Sequence, residues 1–140
     1  MKILLAIDGS KFTRHAVNHF IRHLRMFSAK PQAHLIHVMV PIPGRAAVAL
    51  GRDIVHRYYR SEANKAFASA RRMLDAAGIR YREIVLVGDP GTEVARYAKK
   101  EKFDLVLMGS HGHGALANLA LGSVAAKVLA HCKVPVLLVR

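Results

Sequence analysis

Glycine and hydroxyl residues gather late in the chain. Gly109-Ser110-His111-Gly112-His113-Gly114 follows an apolar run, and Gly122-Ser123 comes eight residues after Gly114. Glycine lets a backbone approach an oxyanion closely, so that successive N–H groups converge on it. Gly122-Ser123 stands at the start of a helical segment, where unpaired N–H groups carry a partial positive charge. Two such elements suit a phosphate. The same glycines also suit a tight turn and close packing, and by themselves they leave both readings open. A second polar group, Asp8-Gly9-Ser10, ends the first apolar run. Asp8 suits either a ligand or the capping of the helix that follows.

Other patterns carry less. There is no G-x-x-x-x-G-K-[ST] phosphate loop. Gly112-His113-Gly114-Ala115-Leu116-Ala117 fits a loose G-x-G-x-x-A, but a dinucleotide site wants an acidic residue about 20 positions later. No Asp or Glu follows Asp104, so that match is a decoy. His15, His19 and His23 recur at the i, i+4, i+8 spacing of a metal site. Arg14, Arg22 and Arg25 are interleaved with them and would repel a cation, which favours a solvated helix face. His111 and His113 read as rim residues, and Cys132 as a small apolar filler.

These groups must be positioned by an alternation of short apolar runs with longer segments of 3.6-residue period. Strands are expected at residues 3–7, 33–40, 80–87, 103–108 and 134–139. Helices are expected at 11–27, 53–77, 92–100 and 123–131. Residues 45–52, after Pro41-Ile42-Pro43-Gly44, read as a loop or a poorly formed helix. Strands separated by helices need crossover connections, hence a mostly parallel sheet covered on both faces. In such a sheet the ligand lies beyond the carboxyl ends of the strands, where the strand order reverses. The order 3-2-1-4-5 would bring Asp8 and the glycine stretch to that crevice.

Composition sets the outer bounds. The 140 residues are 52% hydrophobic and 22% charged, which is the make-up of one globular domain spanning 1–140. A single cysteine excludes a disulfide framework. No apolar run reaches the ~18 residues of a membrane span, and the first segment reads as a strand rather than a signal peptide. A cytoplasmic protein with no membrane partner is expected. Lys and Arg number 22 against 9 Asp and Glu, a net charge of +13. Such a surface attracts polyanions, but charge alone has no site geometry, and aromatic residues make up only 6% of the chain.

Taken together, Ile3-Leu4-Leu5-Ala6-Ile7-Asp8-Gly9-Ser10, Gly88-Asp89-Pro90, the segment from Asp104 and Val134-Pro135-Val136-Leu137-Leu138-Val139 resemble the universal stress protein family over essentially the whole chain. Gly109-x-x-Gly112, nine residues, then Gly122-Ser123 matches that family's G-2x-G-9x-G-[ST] motif at every fixed position. The resemblance implies a Rossmann-like α/β fold, a five-stranded parallel sheet and binding of ATP or of ADP or AMP. It places Asp8 and the backbone of Met39 or Val40 at the base. Met108, Gly109, Gly112 and Gly122 would let main chain close on ribose and phosphates. Ser123 and Val124 would donate to phosphate oxygens, with Ser110 as a further contact. Mg²⁺ would accompany the nucleotide, held by phosphates and water more than by protein. Two departures bear on the outer phosphate: Ala125 replaces a hydroxyl residue, and the spacer His113–Leu121 has no Lys or Arg.

Three functions follow as expectations. The first is a stress-response protein in which the nucleotide is a structural or regulatory ligand. The second is a slow ATPase, for which the motif region supplies neither a carboxylate nor a permanent cation, so turnover should be absent or very slow. The third is a polyanion or nucleic-acid binder resting on charge. The apolar last strand, expected at a sheet edge, and the family resemblance both suggest a homodimer through it.

Overall fold

A computed structural model describes residues 1–27, 30–113 and 121–140. The elements run β1 (Lys2–Ala6), α1 (Lys11–Arg22), α2 (Leu24–Phe27), β2 (Gln32–Met39), α3 (Gly44–Leu50), α4 (Arg52–Ala76), β3 (Tyr81–Val87), α5 (Pro90–Lys100), β4 (Leu105–Gly109), α6 (Ser123–His131) and β5 (Val136–Val139). The five strands form one sheet in the order β3-β2-β1-β4-β5, and every pairing is parallel. This is the expected Rossmann-like arrangement. The expected helix at 11–27 is divided at His23, and residues 44–50 form a helix of their own.

The continuous apolar runs follow from burial on both faces of the sheet. Side chains alternate across a strand. Ile3, Leu5 and Ile7 therefore pack with Phe20 of α1 and Phe67 and Leu74 of α4, while Leu4 packs on the other face with Val94 and Ala98 of α5 and Val128 of α6. β4 divides the same way, with Leu107 facing the first cluster and Val106 and Met108 the second. α1 docks through Ala16, Val17 and Phe20, its apolar stripe. Helix α5 begins at Pro90, and its preceding residue Asp89 caps it by accepting from the Thr92 amide at 2.9 Å.

Register decides what meets at the carboxyl end of the sheet. Ala6 lies opposite Ile36 of β2 on one side and opposite Met108 of β4 on the other. The chain steps outward from β1 to β2 and β3, then returns to place β4 and β5 on the other side. The reversal falls between β1 and β4, so the loops after these two strands splay apart above the sheet.

Candidate functional site

The loops after β1 and β4 open into one cavity of about 350 Å³. Ile7 and Asp8 form one side, with Thr13 of α1 behind them. Ile36, His37 and Val38 of β2 continue this wall. Met108, Gly109, Gly112 and His113 form the side after β4, and Gly122, Ser123, Val124 and Ala125 at the start of α6 complete it. Pro90 and Val94 of α5 supply an apolar edge.

The turn after β1 is internally hydrogen-bonded. Oδ1 of Asp8 accepts from the Ser10 amide at 2.9 Å and from the Thr13 hydroxyl at 2.6 Å. The Thr13 hydroxyl accepts in turn from the Asp8 amide at 3.1 Å. Ser10 caps α1 by accepting from the Thr13 amide at 3.2 Å. Gly9 turns the chain at φ +81°, a conformation that favours glycine. Asp8 therefore does organise the helix start, but with one carboxylate oxygen only. Oδ2 has no hydrogen-bond partner among the described residues and lies where a Cβ on Gly112 would meet it at 2.7 Å.

The side after β4 is built on close backbone approach. A Cβ on Gly109 would lie 2.6 Å from Cβ of Phe12 and 2.8 Å from its carbonyl carbon, so glycine here lets α1 lie against β4. A Cβ on Gly122 would stand 3.0 Å from Cα of His111. Ser110 is buried behind the cavity wall rather than in it. Its amide donates to the Val139 carbonyl and its carbonyl accepts from the Gly122 amide, both at 2.8 Å. Its hydroxyl lies 2.9 Å from Nδ1 of His111.

Gly122 is the N-cap of α6 and has no side chain to cap it. Its carbonyl accepts from Ala126, so the amides of Ser123, Val124 and Ala125 belong to the first turn, where a helix has no internal acceptor. One histidine ties the two walls together and another ties β2 to the end of β1 within the first wall. A carbonyl oxygen can only accept, so Nε2 of His113 donates to the Asp8 carbonyl and Nδ1 of His37 to that of Ile7, each at 2.7 Å. At the adjoining edge, Lys127 of α6 reaches Asp89 at 2.9 Å. The Thr92 hydroxyl and the Lys127 ammonium hold the Asp89 carboxyl well below the usual carboxylate range.

Of the residues expected from the sequence, Asp8, Met108, Gly109, Gly112, Gly122, Ser123 and Val124 line this single cavity. Met39 and Val40 do not. Level with Ala6 is Ile36, so the residues that reach the cavity are His37 and Val38. Met39 sits further on, buried, with its carbonyl taken by the Gly88 amide at 2.8 Å, and Val40 is exposed beyond the strand. Thr13, His37 and Val38 line it without having been expected from the sequence, and Ala125, expected near the outer phosphate, lines it too. The Asp8-to-Thr13 spacing is the one sequence signal for Thr13, whereas His37 and Val38 are set by the register between strands. Residues 114–120, which include most of the spacer and the G-x-G-x-x-A match, lie outside the described residues.

Elsewhere, the rings of His19 and His23 lie 4.3 Å apart, and Nδ1 of His23 donates to the His19 carbonyl. Among the described residues no group of three or more His, Cys, Asp or Glu could hold a metal ion. Cys132 is half-buried against the cluster beneath α5 and α6.

A sequence model of the universal stress protein family matches residues 1–140. Universal stress protein MJ0531 of Methanocaldococcus jannaschii is 30% identical over 139 residues, covering 99% of this chain and 81% of its own. A universal stress protein of Thermus aquaticus is 33% identical over 144 residues, covering 99% and 97%. The universal stress protein of Archaeoglobus fulgidus in complex with dAMP superposes with a TM-score of 0.71 at 20% identity, over 100% of this chain and 98% of that one.

Proposed function

This chain belongs to the universal stress protein family, and on that premise we propose that its cavity binds an adenine nucleotide, ATP among them, as a structural and regulatory ligand in the stress response. The observation that carries this reading is a juxtaposition. The Asp8 carboxylate oxygen that the turn leaves unused and the uncapped first turn of α6 open into the same space. The carboxylate suits a donor on the base or ribose, and the amides suit phosphate oxygens. Gly112 keeps the intervening space open, since a Cβ there would sit on Oδ2. The apolar patch from Val38, Val94 and Met108 suits the face of a base. The dAMP complex of the Archaeoglobus fulgidus relative agrees with the ligand class.

The cavity wall contains no Lys or Arg among the described residues, and Asp8 is its one carboxylate. Phosphates are therefore held by amides and by the Ser123 hydroxyl. Mg²⁺, when present with ATP, would be coordinated by the phosphates and water. This donor set favours retention over hydrolysis, which needs a positioned water and charge stabilisation at the outer phosphate. A homodimer through β5 belongs to the same proposal. β5 is an edge strand whose four apolar residues stay half-exposed, and light scattering tests it: a monomer removes the dimer.

Calorimetric titration with ATP-Mg, ADP and AMP tests the nucleotide site. Saturation at a hundredfold over Kd should also raise unfolding stability by about 2.7 kcal/mol. Gly122→Val should abolish both effects, because its side chain would displace the His111 backbone. Wild-type protein that ignores all three nucleotides, or a Gly122→Val variant that binds them normally, overturns the assignment.

A further inference from the structure

We propose that α3 and the first part of α4 form an arm that lies on the surface of an anionic lipid bilayer. None of the residues of α3 is buried, and in α4 burial begins only at Ala63. The arm nonetheless carries large apolar side chains. Val48 is 85% exposed, and Leu50, Ile54 and Tyr58 are each nearly half exposed. It is also basic. Arg45, Arg52, Arg57 and Arg60 are exposed, none makes an ion pair among the described residues, and Asp53 is the one acidic residue from Gly44 to Ser61.

The two kinds of residue are segregated. At about 100° per residue, Ile54, Val55, Tyr58 and Tyr59 fall on one half of α4, and Arg52, His56, Arg57 and Arg60 on the other. A helix with an apolar face and a basic face lies in the interface of an anionic bilayer, the aliphatic groups in the acyl boundary and the arginines at the headgroups. The arm is held in shape beforehand, since the Ile42 amide donates to the Tyr59 hydroxyl at 2.8 Å. A bilayer surface satisfies both faces. Nucleic acid would take the arginines and leave Val48, Leu50, Ile54 and Tyr58 in water. A second copy would bring arginine against arginine on a chain of net charge +13. The expectation of no membrane partner rests on the absence of a spanning segment. No helix among the described residues is long and apolar enough to cross a membrane, and a surface-lying arm requires none.

The test uses vesicles of phosphatidylglycerol and phosphatidylcholine in equal parts, and vesicles of phosphatidylcholine alone. The chain has no tryptophan, so Tyr58→Trp gives a single reporter. Its emission should shift to the blue, and the protein should co-sediment, with the anionic vesicles only. Arg57→Glu with Arg60→Glu should lower partitioning at least about twentyfold. Val48→Ser with Ile54→Ser should lower it about tenfold with charge unchanged. Lys99→Glu with Lys100→Glu makes the same charge change on exposed residues of α5 and should lower it less than about threefold. Circular dichroism checks that each variant is folded. Failure to co-sediment at low salt overturns the proposal. So does an equal loss from the Lys99 and Lys100 pair, which would make the attraction a property of net charge. Binding of duplex DNA in place of vesicles, insensitive to the serine pair, would make the arm a nucleic-acid surface and overturn it equally.

Discussion

The two lips of the cavity are made differently. In the turn after β1, Asp8, Ser10 and Thr13 satisfy one another, and one carboxylate oxygen is left over. On the side after β4, glycines replace side chains and the first turn of α6 has no cap. The first lip has its shape fixed by its own hydrogen bonds. The second has donors with no acceptor among the described residues, open to water or a ligand. A site divided this way has a rigid half that sets the geometry and a half whose hydrogen bonds are made on binding.

Substitutions should separate the two. The largest effect belongs to Gly109, where a Cβ would strike the Cβ and the backbone carbonyl of Phe12, neither of which can swing aside. Gly109→Ala should cost about 3 kcal/mol in urea denaturation, and an unchanged midpoint would refute the packing role given to this glycine. Next comes the rigid lip. Thr13→Val leaves the half-buried Asp8 amide and carboxylate short of a partner and should cost about 2 kcal/mol without any ligand present. Ser123→Ala, on the other lip, should change ligand-free stability by less than about 0.5 kcal/mol while weakening nucleotide binding about fivefold. If Ser123→Ala destabilised the ligand-free protein as much as Thr13→Val, the distinction between the lips would be wrong.

Acid should act on a background common to both. His34 is held below its ordinary value of 6.5 by burial, and then by the positive charges of Lys2 and Arg82. The folded state therefore favours neutral imidazole. This contribution is whole above about pH 6.5 and is lost as pH falls from there towards the folded-state value. Denaturation midpoints of the wild type and of both lip variants should fall in parallel over that range, and His34→Gln should flatten the fall. The smallest effect is expected at the exposed Lys127–Asp89 pair. Lys127→Met should cost no more than about 0.5 kcal/mol, and a larger loss in thermal unfolding would mean that the pair fixes the angle between α5 and α6.

Much of the fold was legible because strands covered on both faces are continuously apolar, and because parallel neighbours force crossovers. Leu105-Val106-Leu107-Met108 could hardly be anything else. Asp8 and Gly122-Ser123 were legible for a related reason: in this architecture the special residues fall at strand ends and helix starts. The β2 wall was misplaced by two residues. The apolar run continues through Val40, but the depth of the cavity is set by the pairing of Ala6 with Ile36, and register across strands is not a property of one segment. Helix α3 was obscure because Arg45 to Leu50 bury nothing, so no apolar stripe betrays the helix. Thr13 was missed because its partner is a side chain in the preceding turn, and a lone threonine early in a helix gives no periodic signal.

Ser110 closes the base of the segment that follows it. With its carbonyl on Gly122 and its amide on Val139, it fastens both ends of the stretch between Ser110 and Gly122 to the last strand pair. The polymer cost of bringing those ends together is met when the domain folds. Loop-closure cost rises by only about 0.6 kcal/mol for each doubling of length, so insertions in the spacer should be tolerated far better than any change at Ser110 or Gly122.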